Sequence, residues 1–188
     1  MKRYSLLIIG SIVTIVLDQA SKIWAVKALA LPDGVLVEGV NRIPTRIITV
    51  FESWFHFRLT GNRGAAWGIF SNLPDGWRVP FFVLISVIAI GAIVVIYHKS
   101  PHQPLLRWAL TLVLGGAIGN LIDRIRLGFV IDFIDWHYLE VYHWPTFNVA
   151  DVAISVGVGL LILDMIVNRG QGEIGESTTP DNERTHPG

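Results

Sequence analysis

The chain of 188 residues contains no cysteine, and that absence excludes three kinds of chemistry at once. Disulfides, thiolate metal sites and a cysteine nucleophile all need a side chain that this sequence does not have. The HExxH zinc motif, the P-loop of nucleotide-binding proteins and the GxSxG turn of serine hydrolases are also missing. A GxGxxG pattern occurs at residues 170–175, but no strand precedes it and the stretch is polar. We therefore interpret that pattern as a chance match.

Charge is scarce as well, since 16% of the residues are charged, 52% are apolar and the net charge is zero. A neutral chain offers no electrostatic attraction for a nucleic acid, so we expect no nucleic-acid partner. The apolar residues concentrate in four windows, and each is long enough as a helix to cross about 30 Å of hydrocarbon. The sequence therefore predicts a membrane protein with four spans, at residues 4–26, 79–97, 105–122 and 149–167.

The first window has two interpretations. Lys2 and Arg3 precede an apolar run, and residues 28–30 resemble the cleavage site of a secretory signal peptide. Against this, Asp18 and Lys22 lie inside a helical pattern that continues to residue 26 and beyond, whereas a cleaved segment is followed by small neutral residues. We therefore expect this segment to be retained as the first helix.

The segments outside the spans predict the remaining architecture. Residues 47–60 are rich in β-branched and aromatic side chains with a partly alternating pattern, which indicates a half-buried strand. Residues 62–70 combine small residues with Trp and Phe, as expected of an amphipathic segment at the membrane interface. We predict a mainly α-helical membrane protein with one domain, 1–168, a small β-cradle at about 31–77, and a disordered polar tail, 169–188.

Four aspartates lie between the third and fourth spans: Asp123, Asp132, Asp135 and Asp151. An ionised Asp deep in a bilayer costs about 2.5 to 3.5 kcal/mol even on lenient insertion scales, so acids near membrane helices usually mark function. With four spans both termini share one side of the membrane. These aspartates and Asp18 then gather toward the opposite side.

Asp132 and Asp151 have the features of an acid/base pair. Apolar neighbours on both sides of Asp132 would desolvate its carboxyl and raise its pKa. Asp151 begins the fourth helix, whose N-terminus favours the ionised form. A structural alternative exists for Asp151, because Asn148 as N-cap and Asp151 as the third helical residue also form a capping box. In an extended segment Asp135 points away from Asp132, so at most one of the two shares a site with Asp151.

For two further groups of polar residues, the sequence leaves both a structural and a functional role open. Asp18 and Lys22 are one helical turn apart and predict an ion pair near a helix end. Asn120, Asp123 and Arg124 share one face at the end of the third helix, where they suit either a polar helix end or contact with a substrate. Arg124 would bind a carbonyl or phosphate, or hold Asp123 ionised.

Five motifs in consistent order resemble the lipoprotein signal peptidase family, also called signal peptidase II, of bacterial aspartic proteases. They are DQASK at 18–22, NRGAAWG at 62–68, GGAIGNLIDR at 115–124, GFVIDFID at 128–135 and TFNVADVAI at 146–154. Trp67 and Gly68 stand where the family often has Phe and Ser, and the tail after Arg169 lies outside the resemblance.

The resemblance implies a function and a set of site residues. It implies removal of the signal peptide from diacylglyceryl-modified prolipoproteins, just before the lipidated cysteine, by a catalytic pair, Asp132 and Asp151. It also implies cytoplasmic termini in the bacterial inner membrane, an extracytoplasmic cradle and inhibition by globomycin. We expect no metal, no cofactor and a monomer. Supporting or substrate-contacting roles would fall to Asp18, Lys22, Asn62, Gly64, Asn120, Asp123, Arg124 and Asn148.

Two other classes of protein place acids and arginines in membrane spans. An ion-coupled transporter does so along its ion pathway, although no inverted repeat is visible in this sequence. A structural membrane scaffold is the other alternative. In a scaffold the gathering of five aspartates toward one face would be a coincidence.

Overall fold

The computed structural model describes residues 3–30, 45–64, 74–139 and 141–176, with side chains as far as residue 167 apart from that of Asp75. Within these ranges the chain forms four long helices and four strands. The helices are α1 (Ser5–Leu29), α2 (Asp75–Lys99), α3 (Pro104–Leu127) and α4 (Val149–Glu176). All four are long and apolar enough to cross a membrane. The prediction of four spans is confirmed.

The helices are longer than the apolar windows alone predict. α3 runs five residues past the predicted residue 122, to Leu127, and is capped by Gly128, whose φ of 77° is the left-handed conformation that glycine favours at a helix C-terminus. α4 continues past Arg169, where we expected the polar tail to begin, as far as Glu176. Residues 31–34, whose Leu-Pro-Asp-Gly sequence predicts a turn after the first helix, lie outside the described residues. The same holds for the interfacial segment from residue 65 onward, including Trp67 and Gly68, and for the tail from 177.

The strands form one antiparallel sheet in the order β1-β2-β3-β4. They are β1 (Ile48–Phe51), β2 (Phe55–Asn62), β3 (Val130–Tyr138) and β4 (Tyr142–His143). The predicted strand at 47–60 is therefore two strands, since the chain turns between Phe51 and Phe55. The small sheet of the prediction is confirmed, and β3 and β4, which come from the third loop, complete it.

Glycines let α3 pack closely between α1 and α4. A Cβ atom on Gly119 would lie 2.6 Å from Asp18 Oδ2, and one on Gly115 would lie 2.5 Å from the Thr14 Cβ. This confirms the small-residue face that the spacing of these two glycines predicts. Ser155 and Gly159 on α4 have the same spacing and predict a second such face, but the close approach there is at Gly157, whose added Cβ would meet Val113 at 2.6 Å, while Gly159 has open space around it.

α2 and α3 are antiparallel neighbours, as their short connection predicts. Near the termini Arg107 donates a hydrogen bond of 2.7 Å to the Tyr97 hydroxyl, and at the other end Arg124 lies over the Phe82 ring at 4.7 Å. Apolar side chains on the outward faces, such as Ile9 and Ile88, are 62% exposed. Exposed apolar helix faces of this kind suit contact with lipid rather than water.

A short pairing joins the sheet to the start of α4. The Phe147 backbone carbonyl accepts hydrogen bonds from Phe133 N at 3.1 Å and Ile134 N at 2.9 Å, and Phe147 N donates back to Ile134 O. These bonds tie the residue before the α4 N-terminus to the middle of β3. They bring Asp132 on β3 near Asp151 on the first turn of α4.

Candidate active site

Asp132 lies on β3 with no exposed surface and accepts a hydrogen bond at each carboxyl oxygen. Asn62 Nδ2, at the end of β2, donates to Oδ2 at 3.0 Å, and Asn148 Nδ2 donates to Oδ1 at 2.7 Å. The antiparallel register places Asn62 here, since Asn62 pairs with Val130 and Thr60 pairs with Asp132. Both donors are neutral amides, so the carboxyl has no direct cationic partner among these bonds.

Asp151 has the geometry of a helix cap and of a site residue at the same time. Its Oδ2 accepts a hydrogen bond of 3.2 Å from Asn148 N, while Asn148 Oδ1 accepts one of 3.0 Å from Asp151 N. This reciprocal pair is the predicted capping box. The other oxygen, Oδ1, accepts a hydrogen bond of 2.8 Å from Asn120 Nδ2. The capping interpretation and the functional one therefore describe the same side chain.

Asn148 joins the two carboxyl groups. Its side-chain amide donates to Asp132, its backbone N–H donates to Asp151, and it is completely buried. The two acids are 19 positions apart in the chain, yet one residue holds both. The structure thus brings together Asp132 and Asp151.

Lys22 orients the amide that faces Asp151. Its ammonium group donates to Asn120 Oδ1 at 3.0 Å, and an ammonium can only donate, so the oxygen of this amide must point toward it. The amide nitrogen of Asn120 is then directed at Asp151. Lys22 therefore acts on the site through Asn120, as a positioning group.

The remaining predicted polar residues of α1 and α3 form a buried charge network. Lys22 Nζ lies 2.9 Å from Asp18 and 2.8 Å from Asp123, and all three side chains are at most 2% exposed. Asp18 Oδ1 also accepts from Ala150 N in the first turn of α4, and Asp123 Oδ2 accepts from Ile131 N on β3. The predicted ion pair is confirmed, and it is part of a network that links three helices and the sheet.

Beside Asp151 lies an open cleft of about 770 Å³, and the buried Asp132 is not among the residues that line it. Polar groups line one part of it, among them Asn62, Asn120, Arg124 and Asp151. Arg124 donates to the Gly64 carbonyl at 3.3 Å, which ties α3 to the loop after β2. The rest of the wall is mainly apolar and aromatic, with side chains from the sheet, the segment before α4 and α4 itself, among them Trp136, Tyr138, Tyr142, Trp144, Phe147, Val152 and Val156.

The environment of Asp132 favours its protonated form. Burial, and secondly the nearby negative charge of Asp151, raise the pKa of Asp132 to about 8. The amides of Asn62 and Asn148 offset part of that shift because they stabilise the carboxylate. The direction agrees with the prediction from the apolar neighbours of this residue. At pH 7 such a group is about nine-tenths protonated.

Residues 10–167 match the sequence profile of the family described as Signal peptidase (SPase) II. The chain belongs to this family. It is 45% identical over 165 residues to the lipoprotein signal peptidase of Geobacter sulfurreducens, covering 87% of this chain and 91% of that protein. With the lipoprotein signal peptidase of Pasteurella multocida it shares 38% identity over 164 residues, 87% of this chain and 90% of the relative.

Two solved structures, each of a bacterial membrane enzyme, share the fold of this chain. One superposes with a TM-score of 0.68 at 26% identity and covers 95% of this chain and 94% of its own. The other has a TM-score of 0.66 at 28% identity, with coverage of 85% and 91%. Membership of the family makes this chain a multi-pass membrane peptidase, and it decides against the transporter and scaffold alternatives.

Two features of the site escaped the sequence analysis. Gln19 Nε2 donates to Asp123 Oδ1 at 3.0 Å and to the Gly119 carbonyl at 3.2 Å, so it completes the charge network. Its position next to Asp18 in the DQASK motif was the available signal. Asp135 was expected on the opposite face of β3 from Asp132, and there it pairs with Arg58 and His143. That cluster of histidines around Asp135 was not predicted.

Proposed function

We propose that this chain is an aspartic endopeptidase that cleaves diacylglyceryl-modified prolipoproteins just before the lipidated cysteine. Removal of signal peptides from prolipoproteins is the activity of the family to which the chain belongs. The observation that carries the aspartic mechanism is the bridge through Asn148, which holds together two otherwise distant carboxyl groups, one of which, Asp151, lines the cleft. Two such groups with different environments are what general acid and base catalysis needs.

The two acids receive different roles from their surroundings. Asp132 has a raised pKa, so it is the proton donor. Asp151 lines the cleft and accepts N–H donors at both oxygens in the first turn of a helix, so it is the base. Asp151 takes a proton from a water molecule that attacks the scissile carbonyl, and Asp132 donates its proton to the carbonyl oxygen. A proton then passes to the leaving amine as the C–N bond breaks.

Asn62, Asn120, Asn148 and Arg124 complete the proposed site. The three asparagines hold the carboxyl groups through the hydrogen bonds described above, and their amides become available to a peptide backbone when these bonds exchange. Arg124 presents the one guanidinium among the side chains that line the described cleft. We infer that it binds a carbonyl of the substrate on the same side as Gly64.

The shape of the cleft supports a lipid-modified substrate. Its wall passes from the polar groups at Asp151 to Val152 and Val156, which lie along α4 in the direction of the membrane. Acyl chains bound along this wall would place the adjoining peptide bond at the level of the carboxyl groups. Binding energy from the chains then contributes to positioning the reacting bond.

We further propose that the termini are cytoplasmic and that the sheet and site lie near the extracytoplasmic face of the bacterial inner membrane. The sheet forms from the segment after α1 and from the segment between α3 and α4, so it lies at the ends of the helices that are opposite to the chain termini. A lipoprotein precursor reaches that side with its signal peptide still in the membrane. The site is then at the depth of the substrate's cleavage position.

Cleavage of a synthetic diacylglyceryl-modified precursor peptide by the purified protein in detergent tests the mechanism. We expect Asp132→Asn and Asp151→Asn each to abolish turnover, while gel filtration shows a folded protein. Mass spectrometry of the wild-type products should find a fragment that begins with the lipidated cysteine. Asp164→Asn is the matched control, since this acid lies on the same helix 13 residues, or about 20 Å, beyond Asp151.

Substantial turnover by either dyad variant would overturn the assignment. Cleavage at a different bond would leave the dyad in place and reject the proposed position. The peptide should be cut at its wild-type rate by the Asp164→Asn variant. We also expect globomycin to inhibit the wild-type enzyme.

A further inference from the structure

A cluster of metal-binding side chains lies on the sheet, apart from the two catalytic candidates. His56, Asp135 and His137 each offer a ligand atom, and these atoms lie within 4.8 Å of one another. All three side chains are buried, at 8%, 1% and 4% exposure. We propose that these residues, with His143, form a site for a zinc-class divalent cation.

The register of the sheet creates the cluster. His56 on β2 pairs directly with Asp135 on β3, and His137 on β3 pairs with His143 on β4. Side chains two residues apart on a strand share a face, so Asp135 and His137 point the same way. Four possible ligands from three neighbouring strands therefore meet on one face, and a sheet holds them more rigidly than loops would.

Two of the ligands, His137 and Asp135, have the polar support that metal ligands usually have. His137 Nε2 lies 3.2 Å from the Glu52 backbone carbonyl, and since a carbonyl only accepts, this nitrogen carries the proton. The lone pair of His137 is then on Nδ1, as in the common arrangement of a ligating histidine bonded to a backbone carbonyl. Asp135 Oδ2 lies 3.1 Å from Arg58 and Oδ1 lies 3.1 Å from His143 Nδ1, so a cation bound at Oδ1 would replace the contact with His143.

His143 provides the fourth ligand and the entry path. Its Nδ1 is already 3.1 Å from Asp135 Oδ1, and its side chain is 33% exposed, so it is reached from solvent. The centroids of the His56 and His137 imidazole rings are 4.1 Å apart, and those of the His137 and His143 rings are 5.2 Å apart. Three imidazoles and one carboxylate favour Zn²⁺ over Mg²⁺ or Ca²⁺, which prefer oxygen ligands.

A cation at this position would connect the sheet to the wall of the cleft. β4 has two residues, Tyr142–His143, and the cleft is lined by His137, Tyr142 and Trp144 from the same hairpin. A metal that bridges β2, β3 and β4 would fix this hairpin against the rest of the sheet. The site is thus structural, and it takes no part in the acid/base chemistry of Asp132 and Asp151.

Titration of the purified full chain with Co²⁺ alone, followed by displacement with Zn²⁺, tests the site. The protein must carry no histidine tag. We expect one Co²⁺ per chain, with the intense visible absorption of a tetrahedral complex, and a Zn²⁺ dissociation constant in the micromolar range or below. His137→Gln and Asp135→Asn should each weaken Zn²⁺ binding at least tenfold.

Variants at other positions separate this site from the alternatives. His143→Ala removes a partly exposed side chain and its contact with Asp135, which keeps Arg58, so the metal-free protein should still unfold cooperatively while Zn²⁺ binding is weakened. His102→Ala, an exposed histidine beyond α2, should bind Zn²⁺ as the wild type does. The double variant Asp132→Asn/Asp151→Asn should also keep wild-type affinity. That result would support the metal site whether or not the proposed peptidase mechanism holds.

Absence of saturable binding up to millimolar Zn²⁺ would overturn the proposal. Wild-type affinity in the folded His143→Ala and Asp135→Asn variants would do the same. Loss of binding in the dyad double variant would show that the cation binds between the catalytic carboxyls, and would also overturn it.

Discussion

Replacing Asp132 by asparagine should change how the stability of this protein depends on pH. The carboxyl has an ordinary pKa of 3.8, and in the folded protein burial and the charge of Asp151 raise the pKa to about 8. Between these two values the folded state binds a proton that the unfolded chain releases. The contribution of this group to stability is therefore fully present below pH 3.8 and is lost as the pH rises to about 8.

The size of this effect follows from the difference in the number of protons that the folded and unfolded states bind. One proton difference lowers the free energy of unfolding by about 1.4 kcal/mol per pH unit, so from pH 6 to pH 8 the wild type loses up to about 3 kcal/mol at this group. Asn cannot ionise and lacks this dependence. It does disturb the hydrogen bond from Asn62 or Asn148, at about 0.5 to 1.5 kcal/mol, but that cost is the same at every pH.

Thermal unfolding in one detergent at pH 6, 7 and 8 measures the difference. We expect the stability of Asp132→Asn, relative to the wild type, to increase steadily with pH by up to about 3 kcal/mol. Glu52→Gln, which removes an exposed carboxylate from the turn between β1 and β2, is the control and should follow the wild type. A relative stability that stays constant or falls with pH would refute the argument that Asp132 is held protonated.

Four further outcomes follow from the same geometry. Turnover of the lipidated peptide should fall as the pH rises past about 8, because Asp132 loses the proton that it donates; a rate that keeps rising to pH 10 would contradict this. Lys22→Met leaves two buried carboxylates uncompensated and should cost roughly 3 to 5 kcal/mol in unfolding experiments. Asp18→Asn should reduce folded yield more than activity per folded molecule, and the reverse would place it in the site. Gly119→Ala should destabilise the protein because its Cβ would lie 2.6 Å from a carboxylate oxygen, whereas Gly159→Ala has open space and should be neutral in the same assay.

The four spans could be predicted because hydrocarbon imposes a simple requirement on composition. A helix that crosses it needs about 20 apolar residues, and that signal is local in the sequence. The ends of the helices were less predictable. Asp123 can be buried within α3 because Lys22, about 100 residues earlier, lies 2.8 Å from that carboxylate. No local window contains this information.

The candidate catalytic pair could likewise be predicted only in part. The apolar neighbours of Asp132 and the capping pattern of residues 148–151 are visible in the sequence, and both are present in the structure. Asp132 and Asp151 come together because Phe147 pairs with β3. No periodic pattern in the sequence predicts this pairing. The histidine cluster is a similar case, because His56 meets Asp135 only through the register of β2 and β3.

The sequence by itself determined the membrane class, the four helices and the family motifs, because each of these depends on residue types at short spacing. Tertiary structure decided which polar atoms face each other. The amide of Asn120 is directed at Asp151 because its oxygen is held by Lys22, and Asn148 reaches both acids because a strand and a helix N-terminus meet at that residue. Hydrogen bonds are directional and short, so partners that are distant in the chain are settled only when the helices and the sheet have packed.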